Sequence, residues 1–523
     1  MEVSDADLQA LIVGAGPTGL LLAAELVRRE VPCLLIDALD APQGWDRATV
    51  VHERSLEIFE ALGAADQLLA GGVRTRGARV YSDGEVVGEQ SLYLPGSRYG
   101  YQLGVSEEVT ESVLTDYLEA HGGAVARSTR LLGLEPGGHS VTATVERDGE
   151  RREVRARWVV GCDGYHSAVR KAVGIAFRGA DIDAPWAVFD ATAEGWHSDY
   201  DMVSVHLDQP PVILTPLPGR RWRVYVRPTS QTSDLVAESC EVLRRYVPGV
   251  TLASVENPSW FRCHSRVAAT YRCGRVLLAG DAAHACTPAE GHGMNTGLQD
   301  AFNLGWKLAL VCRGEAGAGL LDTYEAERRP VAERVVSSGA EVEIAHTLTD
   351  ARERATRDAA IRRTLEDLDA AHHEAAAASE LDRVYPRSRA VAGDEGFGAA
   401  PGRLLPDTGD VEPVDGEPRP LHQLTHRPGH TMIVLGGPRG DPRRVAELTS
   451  ELERRSGAAV DAVLGLCMRP ADQPVGRIDE SVAAQLGVVN ITVLGVRPDR
   501  YIGLRDDRGD PQVVETYLKD LLS

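Results

Sequence analysis

The sequence predicts an α/β protein in which a parallel-sheet domain is interrupted by an antiparallel sheet and followed by a small α/β domain. Residues 10–37 have the pattern of a strand, a glycine-rich turn, a helix and a second buried strand, which is typical of a βαβ unit. Between about residues 176 and 262, short apolar runs alternate with Pro and Gly, as in antiparallel sheets. A buried strand at 276–279 and a long helix at 297–312 then resume the α/β pattern.

These patterns divide the chain into four segments. We expect the first part of the parallel-sheet domain at residues 1–175 and the inserted sheet at 176–262. The second part of the first domain, with surface helices, is expected at 263–390, and the C-terminal domain at 400–523. A chain of 523 residues is too long for one hydrophobic core, which agrees with several domains.

Charge and cysteine content exclude several classes of protein. The chain has 56 Lys and Arg against 77 Asp and Glu, a net charge of −21, so nucleic acid and anionic membrane surfaces are poor partners. Its eight cysteines stand singly, without a C-x-x-C pair, as expected of reduced thiols. The apolar run at 11–27 follows acidic residues and contains Gly and Pro, so it is neither a signal peptide nor a membrane span. We therefore expect a cytoplasmic protein without a membrane segment.

The turn after the first strand has the spacing of a dinucleotide-binding motif. Gly14 permits a tight turn, Gly16 lets the backbone approach a pyrophosphate, and Gly19 allows close contact between helix and strand. The N-terminus of the following helix offers N–H donors to the phosphates. Asp37 ends the second strand, where its carboxylate can accept hydrogen bonds from a ribose. The residues expected to hold the dinucleotide here are Gly14, Gly16, Pro17, Thr18, Gly19 and Asp37.

Two later motifs identify the dinucleotide. Asp163 stands in a Cys-Asp-Gly motif after the strand at 158–160, and Asp281 stands in a Gly-Asp motif after the strand at 276–279. The second motif opens a segment that continues through 291–295. Together with the glycine turn, and in this order, these motifs resemble the class A flavoprotein aromatic hydroxylases, which include p-hydroxybenzoate, phenol and polyketide hydroxylases. The resemblance covers about residues 8–345 and implies a Rossmann-like FAD-binding domain of the GR2 type.

The resemblance implies a role for each matched residue. Asp163 would lie near the FAD pyrophosphate and support the nicotinamide route, and Asp281 would bind a ribityl hydroxyl. Main-chain N–H groups at 293–295 would face the N1–C2 edge of the flavin, because fixed donors stabilise the negative charge of reduced flavin. Pro288 would shape the oxygen pocket, and Arg47 would contact FAD near the path of flavin movement. The residues that the resemblance places at the flavin are Arg47, Glu107, Asp163, Asp281, Pro288, Gly291, Gly293, Met294 and Asn295.

The sequence departs from the family's pattern at two places. Glu107 stands where the family usually has Gln, which leaves its contact with FAD open. Glu290-Gly291-His292-Gly293 replaces the usual Gly-Gly-Gln-Gly. One hypothesis is that the carboxylate and the imidazole tune the flavin charge or assist a proton step; the alternative is that both point to solvent. Arg47, Pro288 and His292 are therefore the candidates for a direct part in the reaction.

The resemblance also implies the reaction. In the family, NADH or NADPH reduces FAD, and the reduced flavin takes up O2 as a C4a-hydroperoxide, whose distal oxygen passes to an electron-rich aromatic ring. The prediction is an FAD-dependent monooxygenase that consumes NAD(P)H and O2 and hydroxylates a phenolic or polyketide-type substrate. Two alternatives remain open: a Baeyer–Villiger or epoxidising monooxygenase on the same scaffold, and a flavin-binding module without turnover.

The substrate is expected between the flavin and the inserted sheet. The candidates are His206, Trp222, Tyr225 and Arg227. Alternation along a strand puts Tyr225 and Arg227 on one face and Trp222 on the other, and it leaves open which face forms the pocket. We expect His284 to be structural. No metal site is expected, because the adjacent His372 and His373 point apart on a helix.

Residues 400–523 follow a linker at about 391–420 that is rich in Gly, Pro and Asp. They resemble the thioredoxin-like tail of phenol hydroxylase and the polyketide hydroxylases. Cys467 stands alone there, so redox activity is not expected. In the family this tail is structural and sometimes lies near a subunit contact, which leaves a homodimer open.

Overall fold

The computed structural model describes residues 8–44, 48–94, 98–182, 185–196, 200–287, 291–386, 388–396, 398–469, 472 and 474–523. A mostly parallel sheet forms the first domain, with Leu8–Val13 at its centre. Both faces of the sheet are covered by helices, so Ala10, Leu11 and Ile12 have no exposed surface. The strands of its main path, in spatial order, are Arg272–Cys273, Val276–Leu278, Glu150–Gly161, Leu8–Val13, Cys33–Ile36 and Val125–Ala126. Val141–Arg147 and Thr129–Pro136 extend it as an antiparallel pair.

Two helices pack on one another over this sheet. Pro17–Val27 begins with Pro17 in its first turn, where the missing N–H is not needed. The second helix, His292–Cys312, begins five residues before the predicted start at 297. Gly291 explains the difference, because its φ of 69° lets the chain turn directly into the helix. The other helices of this domain are Glu53–Leu62, Ala65–Ala70, Glu107–Ala120 and Ala168–Ala172.

A seven-stranded sheet forms the inserted domain. Five strands come from the predicted insertion, but two come from the segment that we assigned to the first domain at 1–175. Gly77–Ser82 joins the sheet because it pairs in parallel with Met202–His206, far along the chain. The spatial order is Thr251–Phe261, Trp186–Glu194, Arg221–Val226, Val212–Leu217, Met202–His206, Gly77–Ser82 and Glu85–Ser91. Helix Leu235–Arg244 covers one face of the sheet.

Two small sheets connect the two larger ones. The first contains Phe177–Asp181, His264–Ala268 and His284–Ala285, and the second contains Val50–Val51, Gln102–Gly104 and Val73–Thr75. Three helices follow within the segment at 263–390, where surface helices were expected: Asp322–His346, Ala351–Glu366 and Leu368–Ala378. Immediately after the last of them, Ser379 and Glu380 are fully buried. The chain therefore turns inward at the end of a helix that was predicted to lie on the surface.

The C-terminal domain is a mixed sheet with helices. Its central strand His430–Gly436 pairs in parallel with Val460–Cys467 and antiparallel with Ile491–Val496, and Ile502–Asp506 adds to the far side. The thioredoxin-like assignment stays a prediction. Residues of the expected linker contribute Ala392–Gly393, Asp410–Val411 and Arg419–Pro420. The remaining elements are Gly476–Arg477, Pro442–Arg455, Glu480–Gln485 and Pro511–Leu522. Within the described ranges, no helix is both long enough and apolar enough to cross a membrane.

A buried ion cluster joins the C-terminal domain to the first. Glu327 accepts a hydrogen bond from Lys307 at 2.6 Å and two from Arg497 at 2.7 and 2.8 Å. Arg497 also donates to Asp499, and these side chains are at most 2 % exposed. Burial lowers the pKa of Lys307 to about 8, against the attraction of Glu327. Since this carboxylate lies between two buried cations, removing it would take away the salt bridge of Lys307 and leave Arg497 with Asp499 alone.

We predict that Glu327→Ala destabilises the protein by about 3–5 kcal/mol, the usual effect of breaking a buried ion pair. The measurement is thermal denaturation followed by circular dichroism. The matched control is Glu447→Ala, which removes an exposed pair with Arg444 at 3.5 Å and should change stability by less than about 1 kcal/mol. Equal denaturation temperatures for the two variants would contradict a structural role for the cluster.

Candidate functional site

A cavity of about 1260 Å³ lies between the parallel sheet, the inserted sheet and the helices after residue 322. It opens where the strands of the parallel sheet end at their carboxyl termini, the edge at which such sheets bind ligands. The cavity brings together most of the residues that the sequence singles out. Those that line it are Gly16, Pro17, Thr18, Glu107, Asp163, Tyr225, Asp281, Gly291, His292, Gly293 and Met294. Arg47 and Pro288 lie outside the described residues.

The glycine turn is packed too tightly for side chains at two of its three glycines. Gly14 has a φ of 101°, and a Cβ there would lie 2.3 Å from the carbonyl oxygen of Cys162. A Cβ on Gly19 would lie 1.9 Å from the carbonyl oxygen of Gly14. Gly16 differs, because the nearest atom to its Cβ position is Glu111 Oε1 at 3.8 Å, and it faces the cavity. The turn thus presents bare backbone and a helix N-terminus to the cavity, as a dinucleotide pyrophosphate requires.

Asp37 stabilises the turn from the side. Its Oδ2 accepts a hydrogen bond from the main-chain N–H of Ala15 at 2.7 Å, and its Oδ1 accepts one from Leu39 at 2.8 Å. The side chain is 13 % exposed and lies beside the turn rather than in the cavity lining. Its contact with a ribose stays a prediction.

Asp163 is fixed at the cavity wall by the start of a short helix. Its carboxylate accepts hydrogen bonds from Ser167 Oγ at 2.5 Å and from the N–H of Val169 at 3.0 Å. Burial raises the pKa of Asp163, although these donors act in the opposite direction. Arg170 donates to the carbonyls of Tyr165 and Ala282, so the loops that carry Asp163 and Asp281 are held together.

The loop that carries Asp281 is held by a buried carboxylate. Asp300 accepts hydrogen bonds from the N–H of Gly280 at 3.1 Å and from Arg328 at 2.8 Å, and it contacts His284 Nε2 at 2.7 Å. Burial raises the pKa of Asp300, but His284 and Arg328 outweigh it, so the net pKa is lowered. His284 is buried and holds the loop, while Asp281 is exposed at the cavity.

The main chain at 291–294 forms the neighbouring wall, at the N-terminus of a 21-residue helix. Asn295 does not line the cavity but holds this wall in place. Its Nδ2 donates to the carbonyls of Val50 and Gly291, and its Oδ1 accepts from the N–H of His52 at 2.8 Å. The positive end of the helix dipole therefore points toward the cavity, where it favours negative charge.

His292 is buried against a residue that the sequence analysis missed. It is 4 % exposed, and its Nδ1 lies 3.1 Å from Oε1 of Glu380, which is fully buried. The hypothesis that His292 points to solvent does not describe this geometry. Glu290 lies outside the described residues. Glu380 carries no local motif, because it follows an Ala-rich helix and meets His292 only in the tertiary fold.

The four substrate candidates divide between the two faces of the inserted sheet. Tyr225 lines the cavity, and its hydroxyl lies 2.9 Å from Thr49 Oγ1. Trp222 packs under helix Leu235–Arg244 on the other face, and His206 stacks on Tyr81 there. Burial lowers the pKa of His206 to about 3. His206 and Trp222 are therefore not at the cavity.

Arg227 lies behind the cavity wall and contacts it through Glu343. It donates to Glu343 at 2.6 Å, and Glu343 accepts the indole N–H of Trp186, which does line the cavity. The sequence analysis did not select Trp186 or Phe261, although both are aromatic residues at the ends of inserted-sheet strands. With Ile213 and Tyr225 they make a mostly apolar wall opposite the glycine turn.

Comparison with known proteins agrees with this geometry. The model of the family described as FAD binding domain matches residues 7–338. 6-Methylpretetramide 4-monooxygenase of Streptomyces rimosus is 34 % identical over 544 residues, which cover 98 % of this chain and 93 % of that enzyme. Pentachlorophenol 4-monooxygenase of Sphingobium chlorophenolicum is 37 % identical over 343 residues, and the match covers 63 % of this chain and 63 % of that enzyme. The match to this chain thus covers less than two thirds of the pentachlorophenol enzyme but nearly the whole of the 6-methylpretetramide enzyme.

A solved structure extends the likeness to the whole chain. The ternary complex of aklavinone-11 hydroxylase with FAD and aklavinone superposes with a TM-score of 0.79 at 25 % identity. The superposition covers 99 % of this chain and 99 % of that one. The inserted sheet and the C-terminal domain are therefore shared along with the parallel sheet.

We predict that Gly14→Ala weakens FAD binding at least about tenfold, which corresponds to about 1.4 kcal/mol. The positive φ alone costs an alanine about 1–2 kcal/mol, and the clash with Cys162 adds to it. The control is Gly149→Ala in a hairpin, where φ is 77° and no atom lies within 4 Å of the Cβ position; its FAD affinity should match the wild type. Fluorescence titration of the apoprotein measures both. Equal weakening in the two variants would mean that the contact with Cys162 does not matter.

Proposed function

The chain belongs to the FAD binding domain family and is an FAD-dependent monooxygenase with NAD(P)H and O2 as co-substrates, and we propose that it hydroxylates a phenolic ring of a polyketide-type aromatic substrate. The observation that carries this proposal is the cavity of about 1260 Å³, in which the residues of the FAD motifs face the apolar wall of the inserted sheet. A substrate bound against that wall lies opposite the residues that would hold the flavin.

The size of the cavity supports a substrate of several rings. At about 1260 Å³ it exceeds the range of about 300–1,000 Å³ that is usual for one small ligand. One cavity therefore has room for the flavin together with a flat polycyclic molecule. Two of the compared enzymes are named for the compounds 6-methylpretetramide and aklavinone.

Several residues of this chain fit FAD. Gly16 and the N-terminus of Pro17–Val27 would hold the pyrophosphate, with Asp163 beside it, and Asp281 would hold the ribityl chain. The main chain at 293–294 would meet the pyrimidine edge of the ring. When bound, the reduced flavin supplies the electrons that activate O2 for transfer to an electron-rich ring.

The other residues orient the substrate and exclude water. Trp186, Ile213 and Phe261 make the sheet side of the cavity apolar, which protects a reactive oxygen species from water. The Tyr225 hydroxyl, beside Thr49, is a polar group on that side that can hydrogen-bond a phenol. We propose that this pair sets the orientation of the ring to be hydroxylated.

We also propose where the protein works and in what state. Its eight free cysteines favour the reducing cytoplasm. A homodimer stays a proposal based on the resemblance, and sedimentation velocity would test it. The relatives do not favour the Baeyer–Villiger, epoxidising or non-catalytic alternatives.

We predict that a polycyclic phenol accelerates anaerobic reduction of the bound FAD by NADPH or NADH. Under O2 the product should gain one oxygen as a new phenol, which mass spectrometry with labelled O2 would detect. A panel from simple phenols to four-ring aromatics identifies the size class. A lactone, ester or epoxide product would overturn the proposed reaction, and the absence of any substrate-stimulated oxidation would indicate a module without turnover.

We predict that Tyr225→Phe lowers kcat/KM about twofold to tenfold, as expected for the loss of one hydrogen bond worth about 0.5–1.5 kcal/mol. The control is Trp222→Phe on the same strand but the opposite face, which should leave kcat/KM for the same phenol unchanged. Steady-state kinetics with the best compound of the panel measures both. A larger effect from Trp222→Phe than from Tyr225→Phe would contradict the assignment of the cavity face.

A further inference from the structure

A buried polar cluster supports the wall at 291–294 from behind. Oε1 of Glu380 lies 3.1 Å from His292 Nδ1 and accepts a hydrogen bond from Thr296 Oγ1 at 2.9 Å. Its other oxygen accepts one from the side-chain amide of Gln299. The ring of His52 meets the ring of His292 edge to face, with centroids 4.9 Å apart. All three donors to Glu380 come from the first turns of helix His292–Cys312.

The surroundings of Glu380 favour the ionised form of its carboxyl group. Burial raises its pKa, but the hydrogen bond from His292 and the charges of His292, His52 and Arg383 outweigh burial and hold the pKa well below the usual range. A buried carboxylate is stable only when a cation and further donors compensate it. His292 is the group that the hydrogen bond places for this task, and a carboxylate at this distance favours the imidazolium form of its partner.

The two charged groups of the His292–Glu380 pair lie at different distances from the cavity. His292 lines the cavity, while Glu380 has no exposed surface and lies behind it. The positive member therefore faces the cavity and the negative member faces the protein. Glu380 also has a φ of 59°, in the left-handed region that residues with a Cβ seldom adopt. The fold keeps this strained residue in place with three donors.

We propose that Glu380 is a positioning residue that keeps His292 as an imidazolium at the cavity wall, where its charge stabilises the reduced, negatively charged flavin. The inference rests on the proposed function, since it requires FAD in the cavity. It assigns a task to a residue outside the flavin motifs. Charge placed beforehand in a site that excludes water acts more strongly than the same charge in solvent.

Other charged groups face the pair from each neighbouring element. His52 precedes helix Glu53–Leu62, and the buried Glu53 accepts a hydrogen bond from Ser379 Oγ. On the segment after helix Leu368–Ala378, Arg383 is paired with Asp382 at 2.8 Å. One ring nitrogen of His52, one of His292 and one carboxylate oxygen of Glu380 lie within 4.8 Å of one another, which is close enough for all three to bind one metal ion. The Glu380 oxygens, however, already accept hydrogen bonds, so the arrangement is a hydrogen-bonded pair.

The test is the reduction potential of FAD in the holoenzyme variant Glu380→Gln, measured by spectroelectrochemistry at pH 6 and pH 8. Glutamine keeps the size of the side chain but does not hold a proton on His292. At pH 8 the preference for reduced over oxidised flavin should fall about tenfold, which is about 30 mV for a two-electron couple. At pH 6 the fall should be smaller, because solvent acid restores the imidazolium of a histidine with an ordinary pKa of about 6.5.

A second variant keeps the test decisive if the first one folds poorly. His292→Gln removes the cation itself, so its potential should fall at both pH values, and the double variant should not fall below it. The matched control is Glu366→Gln, which removes an exposed carboxylate at the end of helix Ala351–Glu366. Its potential should equal that of the wild type.

The possible results separate the two proposals. A potential that is unchanged or higher in Glu380→Gln, with FAD fully bound, overturns the role of Glu380, because removing a negative charge alone would raise the potential. An unchanged potential in His292→Gln overturns it as well. Neither result affects the proposed hydroxylation. That proposal fails separately, if the wild-type protein does not take up FAD or does not oxidise NAD(P)H in response to a phenol.

Discussion

The contact between Gly14 and the main chain of Cys162 is the constraint on which the rest of the structure depends. Gly14 donates its N–H to Ile36 at 2.8 Å, and Cys162 donates to Val13 at 2.8 Å, so three parallel strands end together. A side chain at Gly14 would overlap the Cys162 carbonyl and push these strand ends apart. Because the strand ends meet here, the glycine turn, Asp163 and Asp281 share one edge of the sheet. The packing that closes the sheet also creates the ligand-binding edge.

Buried ion pairs hold helix His292–Cys312 in place, and its N-terminus forms part of the cavity wall. Asp300 on this helix is compensated by His284 and Arg328, Lys307 by Glu327, and His292 by Glu380. Burying an ion costs several kcal/mol unless a partner is placed with good geometry. In its observed position the helix satisfies each of these three charges. Its N-terminus is held at the cavity as a fixed donor surface, in a chain whose overall charge is −21.

Local patterns in the sequence predicted individual helices and strands, but they did not predict which distant segments pair with one another. The predicted strand at 276–279 and the predicted helix at 297–312 correspond to Val276–Leu278 and His292–Cys312, because apolar periodicity is a property of neighbouring residues. The membership of Gly77–Ser82 in the inserted sheet was not predictable, since its partner Met202–His206 is far away in the chain. Glu380 was missed for the same reason, because only tertiary packing turns it toward His292.

The sequence by itself determined the cofactor chemistry. The three flavin motifs require glycine and aspartate at set spacings, and each motif is a short run of neighbouring residues that can be recognised without the fold. Alternation along the strand also separated Tyr225 from Trp222. Only the tertiary structure decided which of these two faces the cavity, because a strand with apolar residues on both faces can be covered by a helix on either. Helix Leu235–Arg244 covers the Trp222 face, and this packing leaves Tyr225 to the ligand. The charge of the cavity wall was decided in the same way, by residues that meet only after the chain has folded.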